Sequence, residues 1–344
     1  MKLKQLIQYL EGIAPSAYQE SYDNSGLLVG DQAMEISGVM CCLDSVEAVL
    51  DEAIAKGCNV VVAHHPIVFR GLKRLTGKNY VERVVLKAIK NDIALYAIHT
   101  NLDNVYHQGV NAAIAARLAL TDTAILAPKS VDQKLSLYFP ASSSERIRAQ
   151  LQDLKAFSGS NFASLGVQDT DKASLKMEMR FPAYLKSSVL SHIQHIQKDT
   201  ALQYEISEIY QISGQVGSGM IGELETPLSE AAFLAHLKGK MQVNVIKHTQ
   251  LLGKDIKRVA VCGGAGGFLL KDAIRQQADI FITSDYKYHE FFDADGRIII
   301  ADIGHYESEQ FTIDLLHTLI SDKFTNFATF STTINSNPVF YYVD

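Results

Sequence analysis

The chain is poor in cysteine, has no CxxC pair, no long apolar run and no excess of positive charge, and each shortage removes a class of function. Its 344 residues hold four cysteines, Cys41, Cys42, Cys58 and Cys262, each in or beside an apolar stretch. Isolated cysteines in such settings read as small buried hydrophobes of a reducing compartment, not as a disulfide framework or a thiolate zinc site. No window approaches the roughly 18 apolar residues of a membrane span. The first residues, MKLKQLIQYLEG, lack the apolar core and small-residue cleavage site of a secretory signal. They place Leu3, Leu6, Ile7 and Leu10 on one face of an amphipathic helix. The expected location is cytoplasmic. A net charge of −6 gives no broad attraction to nucleic acid or to an anionic membrane. What is there is an ordinary globular composition, 47% hydrophobic and 20% charged, long enough for two domains or one domain with an insertion.

The most informative stretch is NVVVAHHPIVF, Asn59 to Phe69. Val60, Val61, Val62 and Ala63 form a short β-branched run, the mark of a strand buried on both faces of a parallel sheet. Pro66 has no N–H and stops the ladder. His64 and His65 therefore fall at the carboxyl end of a central strand, where open α/β sheets bind ligands. Neighbouring residues on a strand point to opposite faces, so both imidazoles reach one site only if the strand end loosens, or serve two adjacent metals.

Strands and helices alternate on either side. Strand Val39–Leu43 leads to a helix over Val46–Lys56, with Ser45 as N-cap and Gly57 as its stop. A helix over Asn79–Lys90 turns Val81, Val84, Val85 and Ile89 inward, strand Ile93–Ile98 ends in HTNLD, and a helix over Val110–Leu118 follows. The second half repeats the rhythm with strands Val243–Lys247, Arg258–Cys262, Asp279–Thr283 and Arg297–Ala301, then a long helix from His305 to Asp322. This predicts an α/β core of two similar halves, residues 1–127 and 212–344. Between them, KLSLYF and the segments after it read as half-exposed strands and helices in the order β-α-β-β-α-β. That suggests an inserted ferredoxin-like module over residues 128–211. GSGMIGEL, Gly217–Leu224, is a glycine-rich return to the core without the lysine of a phosphate-binding loop. GGAGG, Gly263–Gly267, has the wrong spacing for a dinucleotide fingerprint and fits close helix packing or an anion at a helix start.

Metal-ligating residue types recur at the strand ends. His64 and His65 end one strand, Asp103 lies just past the next with His99 four residues earlier, and His305 follows another with Glu309 four residues on. Positions i and i+4 share a helix face. His64, His65, Asp103, His305 and Glu309 make five nitrogen or oxygen donors with two carboxylates able to bridge. That set suits two divalent ions about 3.5–4 Å apart. Without a thiolate, zinc, iron and manganese all fit. Such a pair activates water and polarises a scissile C–N or P–O bond, with His99 or His289 to carry the proton. Asp44 and Asp285 also fall at strand ends, as supporting or substrate-contacting groups.

In order along the chain, YDNSGLLVG, VVVAHHPIVF, HTNLD, GSGMIGEL, TSDYKYHE and DIGHYESE resemble the dinuclear-metal family named for the yeast NGG-interacting factor three. Its members are widely labelled GTP cyclohydrolase 1 type 2 homologues. The resemblance implies that His64, His65, Asp103, His305 and Glu309 are the metal positions. It implies a toroidal homohexamer with metal sites facing an inner cavity, and an insertion like the PII or CutA fold over residues 128–211. One departure is Tyr22, where tryptophan is typical, with packing the expected consequence. The family label implies hydrolytic opening of the guanine imidazole ring of GTP. The alternative is a non-enzymatic hexameric regulatory or metal-handling protein, with the insertion as its sensing or gating module.

Overall fold

The structure is a computed structural model that describes residues 1–152, 164–171, 174–209 and 212–342. The chain divides into two compact units, residues 1–128 with 214–344, and residues 129–213.

In the larger unit the first sheet is built from β1 (Gly26–Val29), β2 (Gly38–Asp44), β3 (Val60–His65) and β4 (Ala94–Ala97), with β15 (Ala328–Ser331) returning from the far end of the chain. Strands are numbered in chain order. The sheet order is β1-β4-β3-β2-β15. β15, β2, β3 and β4 run parallel, and β1 closes the edge antiparallel. Val60, Val61 and Val62 are fully buried, because helices cover both faces of this strand. The register sets Asp44 beside His65 at the carboxyl end. The second sheet has the order β11-β14-β13-β12-β10-β5. Its members are β5 (Leu120–Ser130), β10 (Ile212–Leu228), β11 (Lys247–His248), β12 (Ile256–Val261), β13 (Ile280–Thr283) and β14 (Ile299–Asp302). β12, β13 and β14 are parallel, flanked by antiparallel β10 and β11.

The smaller unit has one antiparallel sheet of β6 (Asp132–Pro140), β7 (Ser164–Asp171), β8 (Ser174–Pro182) and β9 (Gln203–Glu208), in the order β7-β8-β6-β9. Helices Ser144–Gln152 and Lys186–Gln197 connect them. Leu135, Leu137 and Phe139 of β6 pack with Phe181, Val189 and Ile193 in a core of its own. A Ser/Gly-rich stretch around Gly159, which the sequence marks as a loop, lies outside the described residues.

Several local expectations are corrected. The helix after β2 spans Glu47–Ala55, and Val46 occupies the cap position with no side-chain bond. Val46 N bonds Asp44 O at 3.0 Å, a tight turn that moves Ser45 off the cap. Helix Tyr80–Lys90 buries Glu82, Val84, Val85 and Ala88, and leaves Ile89 51% exposed. Glu82 turns inward because its carboxylate accepts from Thr76 N, Thr76 Oγ1, Lys78 N and Asn79 Nδ2 at 2.8–3.1 Å. Val243 is not in a strand. Its N–H closes the helix Glu230–Met241 by donating to Lys238 O, after Gln242 turns left-handed at φ 54°. The long terminal helix is two helices, His305–Glu309 and Thr312–Lys323. At the join Ile313 N reaches back three residues to Gln310 O at 3.4 Å. Finally, GSGMIGEL lies inside the long strand β10, paired in part with β12.

Candidate metal centre

Strand ends of both sheets in the larger unit deliver the donors. His64 and His65 leave β3, a short helix Thr100–Asp103 after β4 brings Asp103, and the helix His305–Glu309 after β14 brings two more. His65 Nε2 lies 3.0 Å from Glu309 Oε2 and 3.4 Å from His305 Nε2. His305 Nε2 is 3.2 Å from Glu309 Oε2. On the other side His64 Nε2 lies 3.6 Å from Asp103 Oδ1 and 3.7 Å from Glu309 Oε1. All five sequence-expected donors converge, and the two oxygens of Glu309 face different partners. Three sets of three have ligand atoms within 4.8 Å of one another: His65, His305 and Glu309; His64, Asp103 and Glu309; and His64, His65 and His99. Histidine and carboxylate groups are thus positioned to hold a metal ion.

Each imidazole is fixed from behind. His64 Nδ1 donates to Ile98 O at 2.9 Å, His65 Nδ1 to Asp44 Oδ1 at 2.8 Å, His305 Nδ1 to Asp285 Oδ2 at 2.7 Å and His99 Nδ1 to Asp23 Oδ1 at 2.8 Å. A donor bond at Nδ1 leaves the Nε2 lone pair of a neutral ring free to ligate, the usual outer arrangement of metal-binding histidines. His64 Nε2 and Asp103 Oδ1 are buried and have no hydrogen-bond partner. Buried polar atoms are paired in nearly all folded proteins, so two orphans 3.6 Å apart fit a cation that both can bind.

The electrostatics agree. Burial alone would lower the His65 imidazole, but its bonds to Asp44 and Glu309 raise it to about 10. His305 is raised to about 11 against burial by Asp285 and Glu309. Burial and the neighbouring Glu309 push Asp103 above the usual carboxylate range. Burial opposes ionisation of Glu309, yet His305, His64 and His65 hold it well below that range. The carboxylates draw positive charge into the site, whether as protonated imidazole or as a bound cation.

Glycine lets the turn after β12 pack against the helix that carries Glu309. Gly264 has φ +62°, and a Cβ there would fall 2.5 Å from Glu309 Oε1. Gly264 N donates to Ser308 Oγ at 2.9 Å. The GGAGG loop therefore works as close packing against Glu309. The cluster floors a cavity of about 340 Å3 that His65, His99, Asp103, His305 and Glu309 help line. A larger cavity of about 630 Å3, lined by Lys247, Tyr288 and Phe292 among others, contains none of these donors. His289 is exposed beside Tyr288 and Phe292 and is not brought to the donor cavity. Tyr22, expected to matter for packing, is exposed at the cavity mouth. Asp23 was missed by sequence reasoning. It sits in a loop before β1, 76 residues from His99, and also accepts from Thr100 N and Oγ1. Its only signal was its place inside YDNSGLLVG.

Against known proteins, residues 1–338 match the family Duf34/NIF3 (NGG1p interacting factor 3). The chain is 33% identical over 328 residues to a Bacillus subtilis protein named GTP cyclohydrolase 1 type 2 homolog, covering 88% of each. It is 30% identical over 369 residues to a Staphylococcus aureus protein of the same name, covering 99% of this chain and all of that one. The crystal structure of Staphylococcus aureus protein SA1388 superposes with a TM-score of 0.84 at 30% identity over 99% of both chains. A Bacillus cereus protein related to NIF3 gives 0.76 at 27% identity, again over 99% of both. No helix among the described residues is long and apolar enough to cross a membrane. With a match that runs nearly end to end and the same mixed α/β fold of several sheets, this chain belongs to the Duf34/NIF3 family.

Proposed function

We propose that the cluster is a dinuclear centre for zinc, iron or manganese, held by His64, His65, Asp103, His305 and Glu309, and that the chain is a metal-dependent hydrolase. The observation that carries this reading is the pair of buried, unpartnered atoms His64 Nε2 and Asp103 Oδ1. Leaving both without a partner costs free energy that a shared ion recovers. Glu309 supports a second ion, since its Oε1 faces His64 while its Oε2 faces His65 and His305. When bound, paired ions activate water and polarise the bond to be cleaved.

The chain's own groups do the rest. Ile98 O, Asp44 and Asp285 hold the Nδ1 protons of His64, His65 and His305, which leaves each Nε2 lone pair free and would let it hold a metal ion. His99, fixed by Asp23, offers its Nε2 at the cavity wall and moves the proton at the leaving atom. His289, exposed, is left without that task. The name shared by the relatives supplies GTP as first substrate to try, with opening of the guanine imidazole ring.

The test is to load purified protein with each metal in turn, measure metal content by elemental analysis and assay formate release from GTP. The expected result is two ions per chain and turnover, both lost in a His64→Ala, Asp103→Ala double mutant. Wild type holding no more metal than the double mutant would sink the centre. Metal without turnover above the double mutant would sink the GTP reaction.

The smaller unit supports an inserted ferredoxin-like module, akin to the PII and CutA fold, between core segments 1–127 and 212–344. Its β-α-β-β-α-β order and its strand order β7-β8-β6-β9 are those of that topology. Because the unit has its own core, it favours a second reading: a cytoplasmic homohexamer that handles metal or regulates, with the module sensing or gating. That reading expects tight metal binding and no turnover on any nucleotide.

A further inference from the structure

The donors come from two banks that meet at a seam. His64, His65 and Asp103 follow strands of the first sheet, while His305 and Glu309 ride on the five-residue helix His305–Glu309 after β14 of the second. A helix of that length holds little by itself. Its geometry against the first bank therefore depends on what crosses the seam. Behind the donors the crossing is made by residues 332–342, the irregular segment that follows β15.

This segment has no ladder or helix and is held by side chains. Thr332 Oγ1 and Thr333 Oγ1 anchor its start on Glu52 at 2.5 and 2.8 Å. Asn337 N donates to Asn335 Oδ1 at 2.9 Å and Val339 N to Asn337 Oδ1 at 3.0 Å, and these turns fix its path. Ser336 and Asn337 then reach to opposite banks. Ser336 Oγ donates to Asp44 Oδ2 at 2.6 Å, and the other oxygen of that carboxylate holds His65 Nδ1. Asn337 Nδ2 donates to Glu307 Oε1 at 2.9 Å. The Tyr341 hydroxyl hydrogen-bonds the same glutamate. Glu307 lies two residues from both His305 and Glu309, so it projects from the other side of their helix. Gly304 leaves room for the contact. A Cβ there would strike the Glu307 carboxylate and stand 2.8 Å from the Tyr341 hydroxyl. Tyr341 is 38% exposed, against 91% for Phe340 and 94% for Tyr342, so the segment turns one ring inward and leaves its neighbours out.

Consecutive Cα atoms are only about 3.8 Å apart. One peptide link thus ties the carboxylate behind His65 to the helix that carries His305 and Glu309. The banks cannot part here without breaking a hydrogen bond to a carboxylate.

We infer that Ser336, Asn337 and Tyr341 are positioning residues of the donor cluster, a clasp that sets the spacing of its two banks and so its affinity for metal. The consequence for affinity rests on the metal reading. The clasp itself belongs to the chain and is present without an ion.

Zinc affinity is read by competition with a chromogenic chelator, and the cobalt(II) form by its visible absorption. Ser336→Ala, Asn337→Ala and Tyr341→Phe should each bind zinc about tenfold more weakly and shift the cobalt bands, with an unchanged circular dichroism spectrum. Ser336→Thr keeps the hydroxyl and should bind as wild type. Phe340→Ala and Tyr342→Ala change exposed rings of the same segment and should bind as wild type too. A second arm uses metal-free protein. Ser308 N and Gln310 N close the short helix on Gly304 O and Tyr306 O. Asn337→Ala combined with Tyr341→Phe should speed hydrogen exchange at both amides about tenfold, the size of one lost hydrogen bond. The clasp is overturned if the three variants hold zinc as tightly as wild type, if Ser336→Thr does no better than Ser336→Ala, or if the exposed-ring variants lose as much affinity. Wild type that binds no zinc sinks the metal reading instead. The exchange rates of the metal-free chain then decide the clasp, and unchanged rates refute it.

Discussion

At the scale of single residues, the site depends on groups that do not themselves face the ions. Asp285 holds His305 Nδ1 at 2.7 Å and Asp44 holds His65 Nδ1 at 2.8 Å. Replacing either by asparagine keeps the size and removes the charge that orients the imidazole and raises its basicity. Asp285→Asn and Asp44→Asn should each weaken metal binding about tenfold or more, as read by competition with a chromogenic chelator, with an unchanged circular dichroism spectrum. Unaltered affinity would mean the carboxylates are bystanders. A glycine pair makes a second test. Gly264 and Gly57 both have left-handed backbones, at φ +62° and +69°, but only at Gly264 would a methyl meet Glu309, while nothing lies within 4 Å at Gly57. Both alanine variants should lose about 1 kcal/mol from backbone strain. Only Gly264→Ala should also lose metal. The five donors were legible because imidazole and carboxylate at strand ends are chemically conspicuous. Asp23 was not, because an aspartate in a loop announces nothing until the fold carries it to His99.

At the scale of elements, the sequence was a good guide where one face repeats and a poor one where a side chain is borrowed by another segment. β3 reads as a buried parallel strand because its valines leave no polar face. β5 and β10 escaped notice because glycine and threonine dilute the pattern. A Cβ at Gly222 would fall 2.9 Å from Thr123 Cγ2 and 3.0 Å from Thr121 O, so glycine lets the two strands lie side by side. Helix Glu47–Ala55 lends Glu52 in the same way. Its side chain is 11% exposed. It accepts from Thr332 Oγ1, Thr333 N and Thr333 Oγ1 at 2.5–3.1 Å and latches the segment after β15 onto the helix. Burial would raise its carboxyl, but the bonds from Lys56, Thr332 and Thr333 bring it from 4.5 down to about 2. The folded state therefore holds fewer protons than the unfolded chain between those values. The stabilisation is complete above 4.5 and is lost as pH falls towards 2. Glu52→Gln should cost about 2 kcal/mol at neutral pH. In urea denaturation the gap to wild type should narrow as pH drops from about 5 towards about 3. A gap that stays constant with pH would assign the loss to shape and not to charge.

At the scale of the whole molecule, the change of rhythm near Pro128 was visible in sequence because half-exposed strands alternate polar and apolar residues while core strands do not. What the sequence did not disclose is how little the larger unit has to do to close over an excision. Both segments flanking the smaller unit are strands of one sheet, β5 leaving and β10 returning as neighbours. A Cβ at Gly217 would fall 2.4 Å from Ala127 O and 2.6 Å from Pro128 Cα, so the chain returns against the point from which it left. Closing such a gap requires only a short turn, and loop entropy changes slowly with length. Residues 129–213 replaced by a short glycine-serine turn should therefore leave a chain that folds cooperatively, melts within a few degrees of wild type and binds the same metal equivalents. The smaller unit carries none of the five donors, so metal content should not report its loss. If the trimmed chain folds with full metal but altered turnover, the module acts on catalysis and not on metal binding. If it fails to fold at all, the core draws stability from the insertion and the division of the chain into separate domains is wrong.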